Sequence, residues 1–238
     1  MKKKYRIAGL VVSMESFGRT QRQAVPYLCD SEQIADIIVK SNREAVKDRY
    51  PDVSDDIAEY LSTGSSFYRQ LLTYDGFMLH SSAVVVDGKA YLFSANSGTG
   101  KSTHTKLWLQ YLGDRAYILN DDKPALRMID GKWYAFGTPW SGKDDISVNA
   151  GVELAGIAVL ERAESNEIVP HKGRQAVFDI FRQTNRPKAY ELRDKLLMLI
   201  DKLIADIPIW KLKCNMELEA AEVAYAAMHA ENKNQENN

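Results

Sequence analysis

The residues best suited to chemistry lie in the run Phe93-Ser94-Ala95-Asn96-Ser97-Gly98-Thr99-Gly100-Lys101-Ser102-Thr103. Ala90 to Phe93 is a short apolar run of strand type before it. Leu107, Trp108, Tyr111 and Leu112 fall at helical spacing after it, so the glycine-rich segment reads as a strand-to-helix turn. In such a turn backbone N–H groups converge on one concavity, and the helix behind adds about half a positive charge at its N-terminus. A polyphosphate fits there. Asn96, Ser97, Gly98, Thr99, Gly100, Lys101, Ser102 and Thr103 are therefore the expected nucleotide-binding residues, Lys101 reaching the β- and γ-phosphates and the Ser102 hydroxyl meeting the accompanying Mg2+. Ala95 stands where the full pattern has its first glycine, which is tolerable wherever the backbone needs no positive φ.

A second constellation follows about twenty residues after Lys101, where Ala116 to Leu119 reads as a strand ending on Asn120-Asp121-Asp122. The strand–helix–strand unit so defined is expected to be right-handed, with its two strands side by side. Both acids then sit at a strand's carboxyl end beside the loop, where one would hold the metal and the other would orient and deprotonate an attacking hydroxyl. Their order is left open. Gly137 to Lys143 combines two glycines, Trp140 and Lys143. It reads either as a connection with Trp140 in the core or as a mobile cover that brings Lys143 to the transferring phosphoryl group. His104 is expected at solvent or in a helix contact; His171 and His229 carry no motif, and no Cys/His cluster suggests zinc.

These residues need a framework, and 238 residues suffice for a large core in one domain. The expected organisation is a single domain over 1–230: a supporting layer over 1–75, a nucleotide-binding core over 76–165 and a helical part over 166–230. The polar stretch 231–238 is expected to be a disordered tail. Tyr5 to Met14 reads as one strand, residues 16 to 30 as loop with a short extended piece, Gln33 to Val39 as strand or helix, and Asp52 to Asp56 as a helix start. Asp87-Gly88 and Asp130-Gly131 mark hairpins. Val152 to Leu160 is a near-continuous apolar strand, followed by helical spacing on both sides of Pro187, a late strand over Ile207 to Leu212 and an Ala-rich helix over Ala220 to Met228. The charge balance, 31 basic against 32 acidic residues, gives no field that would favour nucleic acid or a membrane surface. Two distant cysteines, Cys29 and Cys214, without a secretory signal, point to a cytoplasmic protein. A homo-oligomer is left open.

His80-Ser81-Ser82-Ala83-Val84-Val85-Val86, the loop Ala95 to Ser102, and Leu119-Asn120-Asp121-Asp122 together resemble the catalytic domain of HPr kinase/phosphorylase, which shares its nucleotide fold with phosphoenolpyruvate carboxykinase. Glu153-Leu154-Ala155-Gly156-Ile157-Ala158-Val159 is similar to that family's signature strand, with Ala155 in place of its Arg. The segment Gly137 to Lys143 and the strand after it look more like the small relatives found beside ribosomal-peptide pathways. The resemblance implies an α/β fold, a mixed β-sheet P-loop nucleotide-binding fold of that type with flanking helices, using ATP and Mg2+. It implies Gly98, Gly100, Lys101 and Ser102 on phosphates and metal, Asp121 and Asp122 as metal ligand and base, Glu153 helping with the metal, and His80 near the γ-phosphate. The expected activity is transfer of the γ-phosphoryl group to a Ser-type hydroxyl on a peptide or small protein. The alternatives are a small-metabolite kinase or carboxykinase-like enzyme, and an inactive nucleotide-binding accessory protein.

Overall fold

Tight turns decide the first elements of this chain. The computed structural model describes residues 2–236, with side chains to Ala230. Strands β1 (Lys3–Ile7) and β2 (Leu10–Met14) form an antiparallel hairpin, and its turn residues Ala8 and Gly9 both have positive φ, 52° and 78°, as a two-residue turn matched to strand twist requires. The run Tyr5 to Met14 is thus two strands, not one. Helix α1 (Gly18–Ala24) and a 3-10 turn over Val25–Tyr27 fill the stretch expected to be loop. Strand β3 (Ile37–Val39) pairs parallel with β2 and completes a three-stranded sheet. Helices α2 (Arg43–Arg49) and α3 (Asp55–Leu71) begin at Asn42 and Ser54, whose side chains accept from the backbone N–H of Ala45 and Ile57.

The remaining elements are β4 (Gly76–Met78), β5 (Ser81–Val86), β6 (Lys89–Ser94), α4 (Lys101–Leu112), β7 (Ala116–Asn120), β8 (Ala125–Ile129), β9 (Lys132–Phe136), β10 (Gly151–Arg162), β11 (Glu167–Pro170), α5 (Gly173–Arg182), α6 (Tyr190–Asp206), β12 (Ile209–Cys214) and α7 (Leu218–Glu236). Among the described residues these strands make one nine-stranded mixed sheet, in the order β4-β8-β9-β10-β6-β5-β7 with β12 and β11 branching from β10. Strand β10 joins its two halves. Its start pairs antiparallel with β9, and past a bulge between Leu154 and Gly156 it runs parallel with β6 and β12.

One expectation about this sheet is corrected: β6 and β7 are not neighbours. The Asp87-Gly88 turn folds β5 back along β6, and β7 then pairs antiparallel with the other edge of β5. Since β5 is antiparallel to both, β6 and β7 still point the same way. The carboxyl ends of β6, β7, β10 and β12 and the start of β5 therefore meet at one edge of the sheet.

Helices cover both faces. Val84, Val86, Tyr91 and Phe93 pack with Trp108 of α4 and with Ala221, Ala224 and Met228 of α7. Ala83, Val85, Leu92 and Ile157 pack with Ile180 of α5 and Leu196, Ile200 and Leu203 of α6. This is the alternation of a strand buried on both sides. A third core unites the small sheet and α3 with Ala125, Phe136 and Trp140. No helix among the described residues is long and apolar enough to cross a membrane. The stretch 231–238, expected to be a tail, lies outside the described residues apart from the backbone of α7 to Glu236.

Candidate active site

The turn from β6 into α4 carries the glycine-rich loop. Gly98 and Gly100 have φ of 78° and 122°, values that side chains with a Cβ rarely adopt, and a Cβ on either would meet nothing within 4 Å. The loop thus faces open space. Ala95 is buried under it, so the missing first glycine leaves the turn intact. From behind, Arg162 at the end of β10 donates to the carbonyls of Gly98 and Thr99, the latter at 3.0 Å. Gln183 donates to the Asn96 side chain at 3.0 Å. Lys101 is buried, its ammonium donating to the Ala95 carbonyl at 3.1 Å. Burial holds its pKa below the ordinary lysine value, against the opposing pull of Asp122 and Asp121.

The two acids leave the end of β7 in different surroundings. Asn120 fixes their turn: its Oδ1 accepts from the backbone N–H of Asp122 and Lys123 at 3.1 and 2.8 Å, while its Nδ2 donates to the Thr138 carbonyl. Asp121 is buried, accepting from Ser82 Oγ at 2.6 Å, and Ser82 in turn bonds Thr105 in α4 at 2.9 Å. Asp122 is more open. Its Oδ1 lies 3.3 Å from His80 Nε2, and Lys123 pairs with its Oδ2. Burial pushes the Asp122 carboxyl up, but the hydrogen bond from His80 and the charge of Lys123 outweigh it and hold the group below the usual carboxylate range. The other ring nitrogen of His80 lies 3.2 Å from Gln183 Oε1, so both nitrogens face acceptor oxygens.

A cavity of about 420 Å3 gathers this set. His80, Ser97, Gly98, Gly100, Lys101, Ser102, Thr103, Asp121 and Asp122 line it together with Lys143. Arg162 and Met216 also line it and were not foreseen. The signal for Arg162 was there: a basic residue at the carboxyl end of a strand neighbouring the loop. Lys123 and Gln183 carried no signal, since chain folding alone brings them to Asp122 and His80.

Glu153 is not brought to this cavity. It lies where β10 still pairs with β9, and its carboxylate meets Lys89 at 3.3 Å and Lys132 at 3.6 Å. The expected metal role is withdrawn. The cover is corrected as well. Trp140 is buried, stacked on Phe67 with ring centroids 5.0 Å apart, and its Nε1 donates to Thr63. Gly137 packs so tightly that a Cβ would stand 1.9 Å from the Val148 carbonyl oxygen, so it is a packing position and no hinge. Gly142 is held by Arg19 and Gln23, which donate to its carbonyl, and by Tyr60, whose hydroxyl accepts from its N–H. Of the expected cover Lys143 stands exposed at the rim, with Asp144 beside it. Of the two readings of His104, the helix contact is the one seen: the ring is buried and its Nε2 accepts from Trp108 of the same helix at 3.1 Å.

A family model described as ScmC, SynChlorMet cassette protein ScmC, matches residues 52–223. The chain belongs to this family. The matched stretch contains His80, the loop, both acids, Lys143, Arg162 and Met216; the three-stranded sheet and α1, with Arg19 and Gln23, precede it. No curated protein gives a significant match. Among solved structures the chain is similar to the HPr(Ser) kinase/phosphatase from Coxiella burnetii, at 12% identity and a TM-score of 0.37, covering 66% of this chain and 98% of that one.

Proposed function

We propose that this ScmC-family chain is an ATP-dependent phosphotransferase acting on a hydroxyl of a peptide or small protein. The observation that carries the reading is the single cavity in which a glycine loop, a buried lysine and two carboxylates face one another. Few chemistries need that set. A nucleoside triphosphate on the loop would present its γ-phosphoryl group toward His80, Asp121 and Asp122. The acceptor oxygen attacks the γ-phosphorus, the bond to the β–γ bridging oxygen breaks, ADP leaves, and the hydroxyl proton passes to a carboxylate. Asp122 suits that last role because it is the more open acid and is held ionised by its neighbours. Asp121, tied through Ser82 and Thr105 to the helix bearing Ser102, suits the metal side.

Among the described residues no cluster of three or more His, Cys, Asp or Glu side chains is built for a metal ion. A Mg2+ would accordingly be held by Ser102, Asp121 and phosphate oxygens, a hard-oxygen set of the kind it takes with nucleotides. When bound it would neutralise charge on the phosphates. The family's description as a cassette protein supports an acceptor supplied by the same cassette.

Phosphopeptide mass spectrometry after incubation with MgATP and the cassette's peptides tests the activity. Lys101→Ala is expected to abolish transfer and to weaken ATP binding strongly; unchanged ATP affinity in calorimetry would sink the loop assignment. Asp122→Asn is expected to keep ATP binding and lose roughly a hundredfold to ten-thousandfold in rate.

A further inference from the structure

A second, smaller pocket adjoins the phosphate cavity. Its volume is about 240 Å3, and Gly100, Thr103, Arg162 and Met216 line both. Beyond that shared rim the two differ in chemistry. The first holds Lys101, Asp121, Asp122 and His80; the second is walled mainly by Leu107 of α4, Leu160 of β10, Ala163 just after it and Cys214 at the end of β12, with Glu161 and Asn215 at its edge.

We infer that this second pocket receives the base of the nucleoside triphosphate whose phosphates lie on the loop, an inference that rests on the phosphotransferase reading above. The direction of the ligand decides it. His80, Lys101, Asp121 and Asp122 line the first cavity and not the second, so the γ-phosphoryl end belongs in the first and the nucleoside end is assigned to the pocket across the shared rim. The pocket found there is mostly apolar and smaller than the roughly 300 to 1,000 Å3 of sites that enclose whole drug-sized ligands, a size suited to a flat heteroaromatic ring. Met216, exposed at its mouth, offers a thioether for contact with an aromatic face.

His104 adds an independent observation. It lines the pocket and is 2% exposed, and its Nε2 accepts from Trp108 Nε1 at 3.1 Å. The ring proton is therefore on Nδ1, and that atom is buried without a hydrogen-bond partner. An unpaired buried donor is costly. A base carries acceptors of the complementary kind at its edge, and since Nδ1 is itself closed off from the pocket, it would meet them through a small turn of the ring toward the base.

Calorimetric titration of the full chain with MgATP and with Mg-tripolyphosphate separates base from phosphates. ATP is expected to bind about tenfold or more tightly than tripolyphosphate. Ala163→Phe, which fills the pocket from its half-buried rim, is expected to weaken ATP about tenfold and to leave tripolyphosphate unchanged. Unchanged tripolyphosphate affinity also shows that the variant is folded with its loop intact. If Ala163→Phe loses both ligands, Leu107→Ser, at a residue that lines the second pocket and not the first, decides by the same ratio. Equal affinities of the two ligands for the parent, or a variant that spares ATP, overturn the base pocket and leave the phosphate loop standing. Failure of both ligands to bind the parent chain overturns the loop reading and the base pocket together.

Discussion

At the scale of single residues, the same side-chain type serves different ends according to what surrounds it. Asp121 and Asp122 are adjacent in sequence, yet one is bonded to a buried hydroxyl pair and the other to an imidazole and an ammonium. The acid pair was legible as Asp-Asp at a strand end, but the division of labour was not, because Ser82, His80 and Lys123 reach it from other parts of the chain. His104 shows the opposite limit. Its place in the first turn of α4 left solvent and a helix contact both open, and the fold settles on burial, packing it against Phe93 with ring centroids 4.5 Å apart as well as on Trp108 of its own helix. Burial pushes its pKa down to about 4. An unfolded chain would bind that proton near pH 6.5, so the stability this neutral ring contributes is fully present above pH 6.5 and is lost as pH falls toward 4. The loss is expected to reach about 3 kcal/mol. Urea midpoints of the parent and His104→Phe between pH 7 and pH 4 check this, the variant showing the shallower fall. Parallel curves would mean that the ring titrates alike in both states.

At the scale of elements, the loop over the site is governed by a helix the sequence did not announce. Residues 16 to 30 lack a long apolar period, and α1 has only seven residues; it exists because tertiary contacts hold it, not propensity. Through Arg19 and Gln23 it grips Gly142. Gly142 has a φ of 77° and a hypothetical Cβ 2.8 Å from that of Asp122, so this grip sets how closely the backbone before Lys143 approaches the acid. Lys143→Ala is expected to lower transfer about tenfold or more while sparing ATP affinity, the lower end of what one transition-state charge contact is worth. Arg19→Ala is expected to act in the same direction but less strongly, since it loosens the loop and leaves the lysine in place. Transfer rate and ATP affinity measured on the same variants separate the two effects; full activity in Lys143→Ala would reduce the loop to a connection. The hairpins at Asp87-Gly88 and Asp130-Gly131 were legible because both turn residues announce positive φ. The turn at Ala8-Gly9 was masked by apolar residues on both sides, and the insertion of β5 between β6 and β7 was not legible, since neighbour order depends on which strand edge is free.

At the scale of the whole molecule, the small N-terminal sheet and the large one are joined by a shared core. Tyr5, Val12, Tyr27 and Ile37 belong to the same cluster as Tyr60, Phe67 and Leu71 of α3, as Ala125 and Phe136 of the second sheet, and as Trp140 in the connection from β9 to β10. The family match begins at residue 52, which invites the view that the first fifty residues are an appendage. The packing argues otherwise. Removing them would bare one side of α3 and the aromatic set around Trp140, which is fully buried in the intact chain, and large exposed apolar patches drive association. A chain cut to residues 52–238 is therefore expected to lose cooperative unfolding, to bind hydrophobic dyes and to aggregate, while the full chain melts in a single transition. Scanning calorimetry and dye binding on the two proteins make the comparison. A truncated chain that melts sharply and still binds ATP would show that the nucleotide-binding sheet folds alone, and that Arg19 and Gln23 act on the site from a separable unit.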